Sequence, residues 1–151
     1  MDSSFKIWKT NREKYLAFLE NYSLAQLNKI PEGFSNNLIW NIGHAIVVQQ
    51  RLIYSASGFP INISDELVNS YKPGSKPTSV DTQETVEQFK SLLLSLQPQT
   101  IEDYVNGKFV SYKELTTSTG FNIASIKDAI EFNNYHEGLH LGMMMNIRKF
   151  V

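Results

Sequence analysis

The chain is predicted to be all-α, a four-helix bundle with a long crossover loop between the second and third helices and a short hairpin or irregular excursion before the fourth. Three observations carry this. Apolar residues recur at helical spacing over four stretches of 16 or more residues, the connection after the second stretch is rich in Pro, Gly and Ser, and the period breaks once more between residues 101 and 117. With 151 residues, the chain suits a single domain spanning 1–151 with one substantial core.

In the first stretch Phe5, Trp8, Tyr15, Leu16, Leu19 and Tyr22 recur at steps of one helical face, with Lys, Arg and Glu between them. Residues 24–34 form a connector closed by Pro31 and Gly33, after which Ser35 or Asn36 can cap a helix through "NLIWNIGHAIVVQQRLIYSAS" to a stop at Gly58. This second helix is apolar around much of its circumference, as a central element would be. Residues 59–78, containing "KPGSKPTS", read as the crossing loop with one short helix at "SDELVNSY". This loop is the segment expected to close over a pocket.

The third helix starts near Asp81, with Asp81 and Glu84 at capping-box spacing, and buries Val86, Phe89, Leu92, Leu93 and Leu96 before Pro98. Asn106 and Gly107 then lie between short Tyr, Val and Phe runs, the signal of a type I′ hairpin. The last helix begins between Asn122 and Ser125 and runs to about Lys149, placing Ile126, Ala129, Asn133, His136, His140, Met143 and Ile147 on one inward stripe.

Composition excludes several classes. A net charge of -1 gives no electrostatic reason to expect nucleic acid or an anionic membrane as partner. The absence of Cys removes thiolate metal sites and cysteine nucleophiles, so a transition metal would need nitrogen or oxygen ligands. The N-terminal "MDSSFKIWKTNREKYL" lacks the apolar core of a secretory signal and no apolar run reaches membrane-span length, so a cytoplasmic location is expected.

The three histidines carry the functional signal. His136 and His140 are four apart, which on a helix sets their Cβ atoms roughly 5–6 Å apart, within reach of one metal ion. His44 lies mid-way along the second helix on a strip shared with Trp40, Val47, Val48 and Arg51, where a bundle can bring it opposite the pair. Any one His alone is more simply a core residue satisfied by hydrogen bonds. Three together, two of them on a stripe that should be apolar, point to a three-His metal site.

The segment "HEGLH" also matches the H-E-x-x-H signature of zinc proteases, which need a third ligand downstream. In the extended form of that motif the Gly falls at Met143 and the third His at Asn146, and "LGMMMNIRKFV" contains no acid. The protease reading is therefore set aside. Glu137 points about 100° from His136 around the helix, at the pocket edge or outside it, yet it is the nearest acid and the candidate general base. Otherwise it is a solvent-facing acid. Asn133 is a candidate for orienting a ligand or substrate, or else a buried amide fixing helix register. Gly138 leaves room for the close approach of a neighbouring helix or ligand. Of Met143, Met144 and Met145 only one can share the inner stripe, so the triplet serves core and dimer contacts. Trp40 is read as core.

The order of "NLIWNIGHA" with His44, then "TTSTG", then "SIKDAIEFNNYHEGLHLGMM" with His136 and His140, and finally Arg148, resembles the DinB-like superfamily of damage-inducible and YfiT-type metal-binding four-helix bundles over nearly the whole chain. The resemblance implies a divalent metal, zinc or nickel, on His44, His136 and His140 with water in the open positions, and a homodimer. It implies a small-molecule substrate and one of two chemistries: transfer or addition of a low-molecular-weight thiol cosubstrate, as in bacillithiol- and mycothiol-dependent enzymes, or metal-dependent hydrolysis. A non-catalytic metal- or ligand-binding module is the competing class. Members often carry an acid shortly after the helix-two His, where this chain has Gln49 and Gln50.

Overall fold

The computed structural model describes all 151 residues. Its elements are α1 (Asp2–Asn21), α2 (Leu24–Asn28), α3 (Leu38–Ile53), α4 (Asp65–Tyr71), α5 (Gln83–Val105), β1 (Leu115–Thr116), β2 (Asn122–Ile123) and α6 (Ile126–Ile147), with single 3-10 turns at Ser55–Ser57 and Arg148–Phe150. The four long helices pack pairwise, α3 on α6, α1 on α6, α1 on α5 and α3 on α5. The chain is thus mostly helical, as its periodicity implies. None of its helices is long and apolar enough to cross a membrane.

The apolar α3 is the centre of the packing. All its residues except Arg51 are buried, and the larger apolar ones divide between two clusters. One gathers Tyr15, Leu19, Ile42, Phe89, Met144 and their neighbours; the other joins Trp8, Leu52, Tyr54 and Ile123 to Ala129 and Ile130 of α6. Burying each such side chain contributes roughly 1.5–3 kcal/mol, so α3 sits in a fixed place against which the site can be built.

Caps fall close to where the sequence puts them. Asn37, one residue beyond the expected pair, accepts from the Trp40 amide to start α3, and Ser125 accepts from Asp128 to start α6. The box that opens α5 is Thr82 with Thr85 rather than Asp81 with Glu84. Asp81 instead accepts the Tyr71 hydroxyl, bridging the end of α4 to the start of α5.

Two expectations fail around α5. The helix continues through Pro98 to Val105. Pro98 and Leu94, whose carbonyl loses its donor, lie on the exposed side where water can satisfy it. The far half is held by Gln49 Nε2 donating to Thr100 Oγ1 at 3.1 Å and by Tyr54 donating to Asp103 Oδ2 at 2.7 Å.

The Asn106-Gly107 pair is not a hairpin turn. Gly107, at φ +71°, ends the helix, with its amide donating to Tyr104 and that of Lys108 to Asp103, the paired bonds of a Schellman stop. A type I′ turn needs positive φ at both central residues, and Asn106 sits at φ -77°, so only the glycine half of that signal is met. The small antiparallel pair lies further on, with Leu115 opposite Ile123 and Thr116 opposite Asn122.

The excursion between α5 and α6 is tied to the C-terminal end of α3. Lys113 N–H donates to the Ala56 carbonyl at 2.7 Å and the Tyr112 hydroxyl to the Leu52 carbonyl at 3.0 Å. These bonds lay residues 113–119 beside the exposed turn of α3.

Candidate metal centre

His44, His136 and His140 come together where α3 and α6 pack, with one ring nitrogen of each within 4.8 Å of the others. Ring centroids are 5.2 Å apart for His44 and His136, 4.7 Å for His44 and His140, and 4.5 Å for His136 and His140. Around a four-coordinate ion with nitrogen ligands at about 2.0–2.1 Å, the ligand atoms lie roughly 3.3 Å apart. The nitrogens are thus grouped somewhat more widely than a bound ion would hold them.

Two of the rings have their protons placed by neighbours. His44 Nδ1 lies 2.7 Å from the Tyr71 carbonyl oxygen, which can only accept, so Nδ1 carries the proton and Nε2 keeps its lone pair. His140 Nδ1 lies 2.8 Å from Asn41 Oδ1, while the Asn41 amide nitrogen donates to Asn36 Oδ1 and the Asn37 carbonyl. Here too Nε2 is the free acceptor. Such carbonyl and amide partners are how proteins fix the tautomer and aim of a ligating imidazole.

His136 differs: its Nδ1 is buried without a partner. A buried polar nitrogen left alone is costly. Three hydrogen-bonded core histidines would not leave this orphan, whereas three neutral imidazoles with two aimed lone pairs suit a divalent cation.

The electrostatics agree. Burial lowers the pKa of His136 to about 3, with the neighbouring His140 and His44 adding to the effect. Burial and then His44 lower that of His140 to about 4. His44 is also lowered, by burial first, and by the Arg51 charge against the opposing Tyr71 bond. The cluster is neutral at neutral pH, the protonation state that a metal requires.

Around the cluster, Trp40 stacks on the His44 ring at 4.7 Å between centroids and 16° between planes. A cleft of about 780 Å³ opens beside it, reached by His44 and His136 and lined by further residues of α3 and α6 and by residues 113–119. The crossing loop, expected to cover the pocket, contributes only Pro73 to this lining. Its larger role is the Tyr71 carbonyl that holds His44. The excursion before α6 supplies Lys113, Leu115, Thr117, Ser118 and Thr119 instead. No periodic pattern marks those residues in the sequence, and only the ties to α3 bring them there.

Glu137 is neither solvent-facing nor in the cleft. It is fully buried against α1, where its carboxylate accepts from Arg12 Nη2 at 2.6 Å, Trp8 Nε1 at 2.9 Å and Asn133 Nδ2 at 2.9 Å. The Tyr15 hydroxyl donates to its backbone carbonyl. The helical turn that carries His136 toward α3 therefore carries Glu137 toward α1. In H-E-x-x-H proteases the Glu meets water at the ion; here it meets an arginine. Asn133 belongs to the same buried network.

The inward stripe of α6 runs through Ala129, Ile130, Asn133, Glu137, Met144 and Ile147. Of the methionines, Met144 is fully buried while Met143 and Met145 are exposed, so the register is one residue off the expected Met143. His136 and His140 occupy the stripe's margin, partly exposed, and His136 lines the cleft. Nothing approaches Gly138 within 4 Å of where a Cβ would stand, so it makes no close contact. Gln49 and Gln50 are buried and turned into a network with Thr100 and the Asn62 amide, away from the histidines.

Comparison with curated proteins finds no match. The model of the DinB superfamily matches residues 7–144, a span that contains α3, α6 and all three histidines. The chain belongs to the DinB superfamily.

Proposed function

We propose that this protein is a metal-dependent enzyme in which His44, His136 and His140 hold one divalent transition ion, zinc or nickel, and a small substrate reacts in the adjoining cleft with water or a low-molecular-weight thiol. The observation that carries the reading is the convergence of three neutral imidazoles within 4.8 Å at the margin of an open cleft. When bound, such an ion keeps its full charge and lowers the pKa of a coordinated water or thiol toward neutrality.

The chain's residues would do the rest. The Tyr71 carbonyl and the Asn41 side chain hold His44 and His140 in the required tautomer, and Trp40 fixes the plane of the His44 ring. The apolar cleft walls Val48, Leu52, Phe132 and Leu139 would seat the substrate and displace water from it. No Asp or Glu lines the cleft, so the nucleophile's deprotonation would rest on the ion. Glu137, bound to Arg12, is left out as a base.

A non-catalytic metal module is the second reading. Structural zinc sites are closed by a fourth protein ligand, and no fourth His, Asp or Glu joins this cluster. Reconstitution with zinc or nickel, followed by assays of thiol transfer and of ester and amide hydrolysis, tests the proposal. Turnover that needs both the ion and His136 supports it; tight metal binding with no turnover in any assay would favour the second reading.

A further inference from the structure

His44, Val48 and Arg51 follow one another at steps of four and three residues on one face of α3, and they line the cleft together with Ser55 just beyond the helix. Arg51 is the only exposed residue of that helix. Lys113 lines the same cleft, its backbone amide bound to the Ala56 carbonyl. Neither cation has an acidic partner. The chain's ion pairs use Lys9, Arg12, Lys90 and Lys108, and the cleft lining holds no carboxylate at all.

Two uncompensated cations thus face one concavity, together with the hydroxyls of Thr117, Ser118 and Thr119. Field lines of one sign concentrate in such a cleft and draw in the opposite charge. Arginine and hydroxyl groups supply the directed donors that a carboxylate or phosphate accepts. The remaining wall, with Phe132, Tyr135 and Leu139 of α6, is apolar and aromatic.

We infer that the cleft binds a small molecule with an anionic group, carboxylate or phosphate, held by Arg51 and Lys113, and an apolar portion laid on Phe132, Tyr135 and Leu139 toward the histidines. This names a substrate class for the site proposed above and rests on that reading only for the reaction; the anion subsite stands on the cations themselves. The acid group is a handle remote from the reacting atoms, so its binding energy would position the substrate.

The test uses the full chain, metal-free and zinc-loaded, titrated with 3-phenylpropionate, phenyl phosphate and the neutral 3-phenylpropanol, followed by NMR shifts and calorimetry. We expect at least one acid to bind about tenfold or more tighter than the alcohol in both metal states, with shifts at Tyr135 and Thr117. Arg51→Gln and Lys113→Gln should each weaken that acid about tenfold while leaving zinc content unchanged. The preferred acid tells a carboxylate from a phosphate ligand. Lys113→Gln, at an exposed loop position, guards against misfolding of the helix variant. Equal binding of acid and alcohol, no binding of either acid, or unchanged affinity in both variants would overturn the inference. Loss of zinc binding by wild type with the acid still bound would defeat the metal reading and leave this one standing.

Discussion

His140 on α6 donates its Nδ1 proton to the side-chain oxygen of Asn41 on α3, at 2.8 Å. Asn41 lies one helical turn before His44, so a single turn of α3 both provides one imidazole and aims another. Asn41→Ala should therefore leave the His140 ring free to rotate and lower metal affinity about 10- to 100-fold. A chelator competition on folded protein measures this. Unchanged affinity would mean that the bond does not orient the ring.

The Glu137 carboxylate and Arg12 guanidinium are both almost wholly buried. Removing one partner strands the other's charge in the core, which costs about 3–5 kcal/mol. Arg12→Ala and Glu137→Ala should therefore lose similar stability in urea unfolding, and Arg12→Met with Glu137→Leu should recover much of it. A Glu137→Gln variant that folds normally but loses turnover alone would instead restore Glu137 as a general base.

Gly43, next to His44, and Gly138, two residues after His136, should respond in opposite directions. A Cβ on Gly43 would stand 2.5 Å from Tyr71 Cδ1 and 2.8 Å from Phe89 Cζ. Both rings are buried, so Gly43→Ala should cost about 1–3 kcal/mol by overpacking. It should also weaken metal binding, because the displaced Tyr71 carries the carbonyl that holds His44. Gly138→Ala meets open space and should stabilise α6 by roughly 0.5–1 kcal/mol. Thermal unfolding of the two variants reads both signs.

Acid should weaken the metal-free protein through its histidines. In the unfolded chain they titrate near pH 6.5, whereas in the fold His136 is held at about 3 and His140 at about 4. Above pH 6.5 both states are neutral and the full stability is present. As the pH falls further, the unfolded chain takes up protons first, and stability drops progressively toward the folded values. Urea midpoints should fall from about pH 6.5 toward about pH 3, and less steeply in His136→Gln. Parallel profiles in the two proteins would contradict the burial effect.

Much of this was legible in the sequence because helical periodicity and caps are local. The four long helices, the α4 turn of the crossing loop and the grouping of the three histidines all follow from spacing. What was not legible depended on partners distant in the chain. Pro98 reads as a stop until Gln49 and Tyr54 are seen holding the residues beyond it. Asn106-Gly107 reads as a hairpin turn because Asn-Gly favours positive φ at both residues, whereas the helix end formed here needs it only at Gly107. Glu137 reads as a general base at the pocket edge or as a solvent-facing acid because nothing near it announces Arg12, 125 residues earlier. Lys113 reached the cleft through a backbone bond that no side-chain pattern encodes.

The central claim is that the three imidazoles form one metal site across α3 and α6. Metal content by plasma mass spectrometry, on tag-free wild type and His44→Ala after incubation with zinc or nickel, tests it most directly. The account predicts close to one ion per chain in the wild type and a loss of most of it in the variant. No bound metal in the wild type, or equal metal in both proteins, would contradict it.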